Sequence, residues 1–143
     1  MARRVEVDVD GARATFALLD DWTPTTAGLV WDLLPLNATA FHAKLSGDAC
    51  YFLANDERVK SLPVQPEVGV TSIYRGYMVA NPHHDSGELE LLIAYGVSEY
   101  RWPTGRRYLT PVAQLQGDGE ALFDALRRTQ REGTKPISVR KLA

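Results

Sequence analysis

Strand-forming segments dominate the sequence, and their number limits the possible folds more than any other feature. Residues 5–10 (VEVDVD) alternate three valines with three carboxylates, which is typical of a strand with one buried face. Asp10-Gly11 follows, a dipeptide that accepts positive φ at both turn positions. Residues 14–18 then alternate again, with Phe16 and Leu18 on the apolar side. We therefore expect a β-hairpin at the start of the chain.

Five further segments are rich in β-branched or aromatic residues, and we predict a strand for each: 49–53, 72–79, 88–94, 108–115 and 137–140. The breaks between them carry turn chemistry. Residues 81–87 (NPHHDSG) are typical of a polar hairpin loop, and Pro103-Thr104-Gly105 marks another connection. Residues 54–70 contain several turn formers and are expected to make one long surface connection.

Only two segments have helical spacing. Thr23 supplies a capping hydroxyl and Pro24 suits a first helical turn, while Pro35 ends the apolar pattern. A second helix is expected from a cap at Asp118 to a stop at Gly133. Many strands with two helices favour a mainly β fold, either a closed antiparallel barrel or a strongly curved sheet with helices at its ends. No repeat or linker interrupts the pattern, so we expect a single domain over residues 1–143.

Composition excludes several classes of function. The 143 residues include 16 Lys plus Arg and 18 Asp plus Glu, and this acidic balance argues against a nucleic-acid partner. No run approaches the roughly 18 apolar residues of a membrane span, and residues 1–4 lead into alternating acids rather than an apolar signal core. We therefore expect a cytoplasmic protein with no membrane partner. The single Cys50 cannot form an internal disulfide, and no glycine pattern of a nucleotide-binding loop occurs, so no cofactor is expected.

Several segments together resemble a known family. They are residues 23–26 (TPTT) with a helix ending at Leu34-Pro35, then 42–47 (HAKLSG), and 88–90 (ELE) ahead of 94–96 (AYG). In this combination the chain resembles a bacterial family of unknown function within the cyclophilin-like superfamily. The resemblance covers nearly the whole chain. It implies a closed β-barrel of about eight strands with two capping helices, in agreement with the strand count.

The same resemblance argues against prolyl isomerase activity. Cyclophilins that isomerise proline carry Phe-His-Arg near the corresponding place, and the arginine stabilises the twisted amide. Here Phe41-His42 is followed by Ala43. Lys44 lies one residue further along a predicted strand, so it would face the opposite side, and its ammonium is a poor substitute for a planar guanidinium. We therefore expect the fold without the activity.

One predicted strand places an arginine on an apolar face. Arg75 and Tyr77 share the parity of Ile73 and Val79 in the segment 72–79. A buried arginine needs a paired anion. That anion is expected to be Glu90 of a neighbouring strand or the carboxylate of a ligand, so this face is predicted to be the wall of a binding pocket.

Other candidate residues have both a functional and a structural interpretation. The imidazole of His42 is suited to act as a general base or to bind an anion, or it bonds a backbone carbonyl structurally. Glu88 and Glu90 share one strand face, either as a functional pair or as a solvated edge. A ligand clamp or an oligomer contact is favoured for the cluster of arginines and aromatics formed by Arg101, Trp102, Arg106, Arg107 and Tyr108.

Metal binding and nucleophilic catalysis have little support. His83-His84-Asp85 contains three potential ligands, but the spacing is not a zinc pattern and Pro82 and Gly87 mark a solvated loop tip. No metal site is expected. Cys50 has apolar neighbours and no adjacent basic partner, so no catalytic residue is assigned.

Three hypotheses about function follow. The leading one is a barrel that binds a small carboxylate-bearing molecule or a short peptide on the face of Arg75, Tyr77 and Glu90, with His42 at its edge and Arg101 as a further ligand contact. The alternative is a small hydrolase or isomerase that uses His42 and Glu90 as an acid–base pair. The third is an interaction subunit that pairs with another protein. Separately, edge strands that must be covered and the aromatic residues available for contacts suggest a homo-oligomer.

Overall fold

The computed structural model describes residues 2–63, 65–103 and 107–143, which form two α-helices, one short 3-10 helix and nine strands. The helices are α1 Pro24–Leu33 and α2 Glu120–Glu132, with the 3-10 helix at Glu57–Ser61. The strands are β1 Arg4–Val9, β2 Ala12–Leu18, β3 Leu36–His42, β4 Gly47–Ala54, β5 Ser72–Ile73, β6 Tyr77–Asn81, β7 Leu89–Glu99, β8 Thr110–Gln116 and β9 Lys135–Lys141. None of the helices in these described ranges is long and apolar enough to cross a membrane.

Eight of these strands close into an antiparallel barrel. Neighbours follow the order β4-β3-β9-β1-β2-β8-β6-β7, and β7 pairs back onto β4 to complete the circle. The short β5 adds to β7 outside this ring. Closure removes the exposed edges that an open sheet would leave. The predicted mainly β barrel of about eight strands with two helices is therefore confirmed.

The opening hairpin forms as predicted. In β1 and β2, Val7 pairs with Ala14, and Asp10 and Gly11 have φ values of 52° and 93° in the turn. Val5, Val7 and Val9 point into the barrel and are at most 1% exposed. The alternation of valine with carboxylates thus separates the core from the outer surface.

Helix α2 closes one end of the barrel. It packs against β1, β2, β3, β4 and β7 through an apolar stripe that includes Leu122, Phe123 and Leu126. The Glu120 N–H donates to the Asp118 carboxylate, and Gly133 ends the helix with φ 89°. The predicted stop at Gly133 is confirmed, whereas the N-cap is Gly119 rather than the predicted Asp118. The amphipathic stripe is buried because the barrel end would otherwise expose its core.

Helix α1 has a cap that the sequence did not indicate. Thr23 makes no side-chain cap, because its hydroxyl donates to the Pro111 carbonyl at 2.6 Å. Glu67 caps the helix instead, accepting from the Thr25 and Thr26 N–H groups at 3.0 and 2.9 Å. This carboxylate ties the connection after the 3-10 helix to the helix N-terminus. Prediction of Thr23 as the cap was therefore wrong.

Removing the Glu67 cap is expected to weaken folding in a pH-dependent way. Burial raises the pKa of Glu67, but the hydrogen bonds from the Thr26 and Thr25 N–H groups lower it more, so the net shift is downward. A lowered pKa means that the contribution is present at neutral pH and is lost as the pH falls through the folded-state value. Glu67→Ala should lower the free energy of unfolding by about 1 kcal/mol at pH 7. Urea unfolding at pH 7 and below pH 4 measures this difference, which should shrink at acidic pH.

A matched control is Glu57→Ala, since Glu57 is exposed and pairs with Lys60 within the 3-10 helix. Its substitution should change stability little at either pH. An equal loss of stability in the two variants at pH 7 would contradict the capping role of Glu67.

The predicted strand 72–79 is interrupted. β5 ends at Ile73, and a turn follows in which the Tyr77 N–H donates to the Tyr74 carbonyl and Gly76 has φ 87°. Gly76 also lies close under the Leu115 side chain, so a Cβ there would have little room. Alternation stops at a turn, and Arg75 therefore does not share a strand face with Ile73. The expected apolar face around Arg75 was wrong for this reason.

Strand β7 is buried on both faces. Leu91, Ile93 and Tyr95 belong to the main core inside the barrel, whereas Leu92 and Ala94 belong to a second apolar cluster on the outside. That outer cluster also contains Ala49, Ile73, Val79, Tyr100 and Leu109. Chain from β5 and from the segment after β7 folds back over the barrel wall and covers it. The candidate site lies in this covering layer.

Candidate functional site

A cavity of about 210 Å³ lies between the outer wall of the barrel and the segment that covers it. Its apolar walls come from Tyr51 on β4, Leu92 on β7 and Trp102 in the covering segment. The full lining is Ala43, Lys44, Leu45, Ser46, Tyr51, His84, Glu90, Leu92, Tyr100, Arg101, Trp102 and Pro103. A concave apolar surface with a few polar groups is the usual form of a small-molecule site.

Glu90 is the buried acid of this cavity. It points outward from β7 yet is only 3% exposed. The Tyr100 hydroxyl donates to its Oε1 at 2.6 Å, and the Asn81 side-chain amide donates to the same oxygen at 3.1 Å. Burial, followed by the hydrogen bond to Glu90, raises the pKa of Tyr100 far above its usual range, so this phenol remains a donor. The two donors hold the carboxylate in one orientation.

The second oxygen of Glu90 is left without a hydrogen bond from the described ranges. The closest polar group recorded for Oε2 is Nε2 of His84 at 4.0 Å, which exceeds hydrogen-bond distance. Glu90 lines the cavity, so this oxygen is available to a molecule bound there. The predicted solvated edge formed by Glu88 and Glu90 is therefore wrong for Glu90.

His84 has a defined orientation. The Ser86 N–H donates to its Nδ1 at 3.1 Å, so Nδ1 carries the lone pair and the proton of a neutral imidazole is on Nε2, toward Glu90. The ring meets Trp102 edge-on with centroids 5.6 Å apart. The loop tip predicted to be solvated thus contributes a half-buried side chain to the cavity.

Trp102 is fixed from several directions. Its ring packs against Tyr100 at 6.3 Å, and the Arg107 guanidinium lies 4.9 Å from the ring centroid. Arg107 also donates to the His83 carbonyl at 3.0 Å. This arginine therefore connects the hairpin loop before β7 with the covering segment, and the connection holds the two loops that form the cavity.

Positively charged side chains lie at the rim of the cavity. Lys44 is exposed in the loop after β3, and Arg101 precedes Trp102 with its guanidinium 3.2 Å from the Glu99 carboxylate. The Arg101 backbone N–H donates to the Ser46 hydroxyl at 3.2 Å, which fixes the chain at this point. The cavity consequently has a negative group at its buried end and positive groups at its mouth.

The structure separates the five residues predicted for the site. Glu90 and Arg101 line the cavity. Tyr77 lies on the same sheet face as Glu90 but four residues from its Asn81 partner along β6, roughly 13 Å away. It lines a different, smaller groove with Trp22 and Tyr74. The predicted face of Arg75, Tyr77 and Glu90 is therefore not one pocket.

Arg75 is explained by the fold. Its guanidinium lies 4.3 Å from the ring centroid of Phe123 and forms an ion pair with Glu120 of α2. About half of its side chain is exposed. The expectation that Glu90 or a ligand supplies its counter-ion was wrong, because the turn after β5 directs the side chain to the helix.

His42 lies at the end of the barrel that α2 covers. Its Nε2 is 2.7 Å from the Tyr95 hydroxyl, and the Gln130 amide of α2 contacts both groups. Tyr95 belongs to the inner face of β7, whereas Glu90 belongs to the outer face. His42 and Glu90 consequently do not form the predicted acid–base pair. The basic partner that the structure places beside Glu90 is His84.

Sequence reasoning missed His84 as a site residue. The burial of Glu90, by contrast, is indicated by a signal in the sequence. Residues 89–95 (LELLIAY) form a nearly continuous apolar run, which is typical of a strand buried on both faces. A single glutamate in such a run is expected to be buried with partners. No comparable signal identifies His84, because its position depends on how a loop packs against Trp102.

The remaining sequence features do not add to the cavity site. Burial raises the pKa of the Cys50 thiol to about 11, and its sulfur contacts the Leu126 carbonyl, so it is a core residue rather than a nucleophile. Within residues 2–63, 65–103 and 107–143, no three potential metal ligands cluster. Thr104, Gly105 and Arg106, which belong to the predicted turn and to the arginine cluster, lie outside the described residues.

Comparison with known proteins identifies a family for the chain. Residues 5–140 match the model of a family described as "Protein of unknown function (DUF3830)". No curated protein matches the chain. One similar solved structure is McbB in complex with tryptophan, with a TM-score of 0.76 and 24% identity over 95% of this chain and 44% of McbB. The chain thus spans less than half the length of McbB.

Two further structures extend the comparison. A hypothetical protein from Archaeoglobus fulgidus has a TM-score of 0.64 at 17% identity, over 99% of this chain and 95% of that protein. A cyclophilin-type peptidyl-prolyl isomerase from Cryptosporidium parvum, with the dipeptide Ala-Pro present, has a TM-score of 0.55 at 12% identity, over 98% and 99%. These similarities show a cyclophilin-like fold. Together with the family match, they confirm the predicted family of unknown function with this fold.

Proposed function

The chain belongs to the DUF3830 family of proteins of unknown function, and we propose that it binds a small carboxylate-bearing molecule in the cavity over β7. One observation carries the proposal. An apolar cavity contains a buried acid at its inner end and two cations, Lys44 and Arg101, at its mouth. Such polarity orients a ligand that has an apolar body and an anionic end.

The size of the cavity favours a small molecule over a peptide. Its volume of about 210 Å³ is below the ~300–1,000 Å³ of most drug-sized sites. Tyr51 and Trp102 offer flat surfaces to an aromatic or planar body. Only one side chain of a peptide would fit, so the short-peptide interpretation has less support.

The rim supports the carboxylate. Lys44 and Arg101 converge on the cavity, and Arg101 presents a fork of donors that suits a carboxylate. Its pairing with Glu99 is at the exposed mouth, where a ligand carboxylate can compete for the same donors. The complex of McbB contains tryptophan, which has both an aromatic ring and a carboxylate. This precedent supports the choice of a probe.

Indole-3-propionate tests the proposal by isothermal titration calorimetry. Lys44→Ala and Arg101→Ala should each weaken its binding by about fivefold, since each removes roughly 1 kcal/mol of interaction at an exposed rim. The double variant should lose more than tenfold. Arg75→Ala is a matched control, because it removes an arginine of similar exposure that lies outside the cavity, and its affinity should stay within twofold of the wild type.

Either of two results would reject the proposal. One is the lack of binding to the wild type at millimolar concentration. The other is an equal loss of affinity in Arg75→Ala and Arg101→Ala, which would mean that charge at the surface acts without regard to position. Thermal unfolding of each variant establishes that the protein is folded.

Acid–base catalysis is a second candidate function, favoured by the placement of His84 beside Glu90. Nδ1 of His84 is held by the Ser86 N–H, and Nε2 faces the free oxygen of the carboxylate at 4.0 Å. A positioned imidazole next to a buried carboxylate is a common arrangement for moving a proton. This pair takes the place of the His42 and Glu90 pair that the sequence suggested. Conversion of the bound molecule distinguishes this function from binding alone.

A further inference from the structure

The free oxygen of Glu90 specifies a second group on the ligand. We infer that the bound molecule is an aminocarboxylate whose ammonium or N–H group donates to Oε2 of Glu90 while its carboxylate faces Lys44 and Arg101. This inference rests on the proposed function, since it assumes that the cavity over β7 is the binding site. It adds the chemical class of the ligand and its orientation.

The first argument is that the two oxygens of Glu90 differ in their hydrogen bonding. Oε1 accepts from both Tyr100 and Asn81, so its acceptor capacity is used by the protein. Oε2 accepts no hydrogen bond from residues 2–63, 65–103 or 107–143. The side chain is 4% exposed and lines the cavity. The protein therefore holds the carboxylate rigidly and leaves one acceptor to whatever enters.

The second argument is the cost of a buried, incompletely paired carboxylate. Burying an ionised group without a counter-charge is costly, and proteins normally pair it. Over the same described ranges, no Lys or Arg forms an ion pair with Glu90. Two arginines in the neighbourhood have other partners: Arg107 contacts Asp85 and the Trp102 ring, and Arg101 contacts Glu99. A ligand ammonium would supply the missing charge.

The third argument is the arrangement of donors and acceptors along the cavity. The buried acceptor Glu90 and the exposed cations Lys44 and Arg101 line one cavity, together with the apolar surfaces of Tyr51, Leu92 and Trp102. A zwitterionic aminocarboxylate is complementary to both ends, whereas a plain carboxylate satisfies only the rim. His84 does not replace the ammonium, because its Nε2 remains 4.0 Å from Oε2.

Three related probes test the inference: indole-3-propionate has only the carboxylate, tryptamine has only the amine, and L-tryptophan has both. For the wild type, L-tryptophan should bind about tenfold more tightly than indole-3-propionate, because a charge-assisted hydrogen bond to a buried carboxylate is gained. It should also bind more tightly than tryptamine, which lacks the group that Lys44 and Arg101 contact.

Glu90→Gln is the decisive variant, since glutamine has the same shape but only one acceptor. Its oxygen can keep the hydrogen bonds from Tyr100 and Asn81. The NH₂ group of the glutamine then points into the cavity as a donor. L-tryptophan should lose its tenfold advantage, while indole-3-propionate should bind at least as well as before. Retained binding of indole-3-propionate also shows that the variant is folded. Glu88→Gln, the same change at a residue that does not line the cavity, should leave the ratio unchanged.

The outcomes separate this inference from the proposed function. If indole-3-propionate binds in a manner that depends on Lys44 and Arg101 but L-tryptophan gains nothing, or keeps its gain in Glu90→Gln, the inference is overturned and the proposed function stands. If indole-3-propionate does not bind, or if tryptamine binds more tightly than L-tryptophan, both are overturned. A tenfold gain that disappears in Glu90→Gln and persists in Glu88→Gln supports both.

Discussion

Replacement of Phe123 by alanine is expected to lower the free energy of unfolding by about 3–5 kcal/mol, the range for truncating a large buried aromatic side chain. Phe123 is 1% exposed and anchors α2 in the end of the barrel. Its ring lies near the positions of Gly119 and Gly76, so little local rearrangement can refill the space. Urea unfolding followed by circular dichroism measures the loss.

Arg75→Ala is the paired control for this prediction. The guanidinium covers the Phe123 ring from the solvent side and contacts Glu120, and both contacts are partly exposed. Its removal should therefore cost about 1 kcal/mol or less. A loss as large as that of Phe123→Ala would show that the ion pair, rather than the buried ring, holds the helix in place.

Filling the cavity from its wall is expected to abolish ligand binding. Ala43→Trp places an indole where Ala43 lines the cavity, and the added volume would occupy most of the roughly 210 Å³ available. No polar group of the proposed site is altered. Affinity for indole-3-propionate should fall by at least one hundredfold, to no measurable heat in calorimetry, because the apolar body of the ligand has no remaining space.

Ala17→Trp is the matched control for Ala43→Trp. Ala17 is half-buried on the outer side of β2 and lines a different depression. The same substitution there should leave affinity within twofold of the wild type. Unfolding midpoints of both variants verify that each is folded. Undiminished binding in folded Ala43→Trp would show that the ligand uses another surface.

The opening hairpin illustrates what could be predicted from the sequence. Its alternation and its Asp10-Gly11 turn both lie within 15 residues, and every interaction that selects them is local. The end of α2 at Gly133 could also be predicted, because a capping residue acts within one helical turn. The cap of α1 could not, since Glu67 reaches Thr25 across 42 positions of sequence.

The candidate site was predictable only in part. Glu90 and Arg101 were singled out, and both line the cavity. Arg75 and Tyr77 were assigned to it on the assumption of an unbroken strand, which the turn at Gly76 invalidates. His84 was assigned to solvent, because composition alone makes the loop 81–87 appear exposed. Packing against Trp102, 18 residues later, decides its position.

The sequence by itself determined most of the strands, the two helices and the mainly β class of this protein, because alternation, turn residues and caps act over a few neighbouring positions. Only the tertiary structure decided that Glu90 is buried in a cavity, that His84 rather than His42 accompanies it, and that Arg75 stabilises α2. These contacts join chain segments far apart in sequence. Their energies depend on closure of the barrel and on how the covering segment packs against β7, which no local pattern encodes.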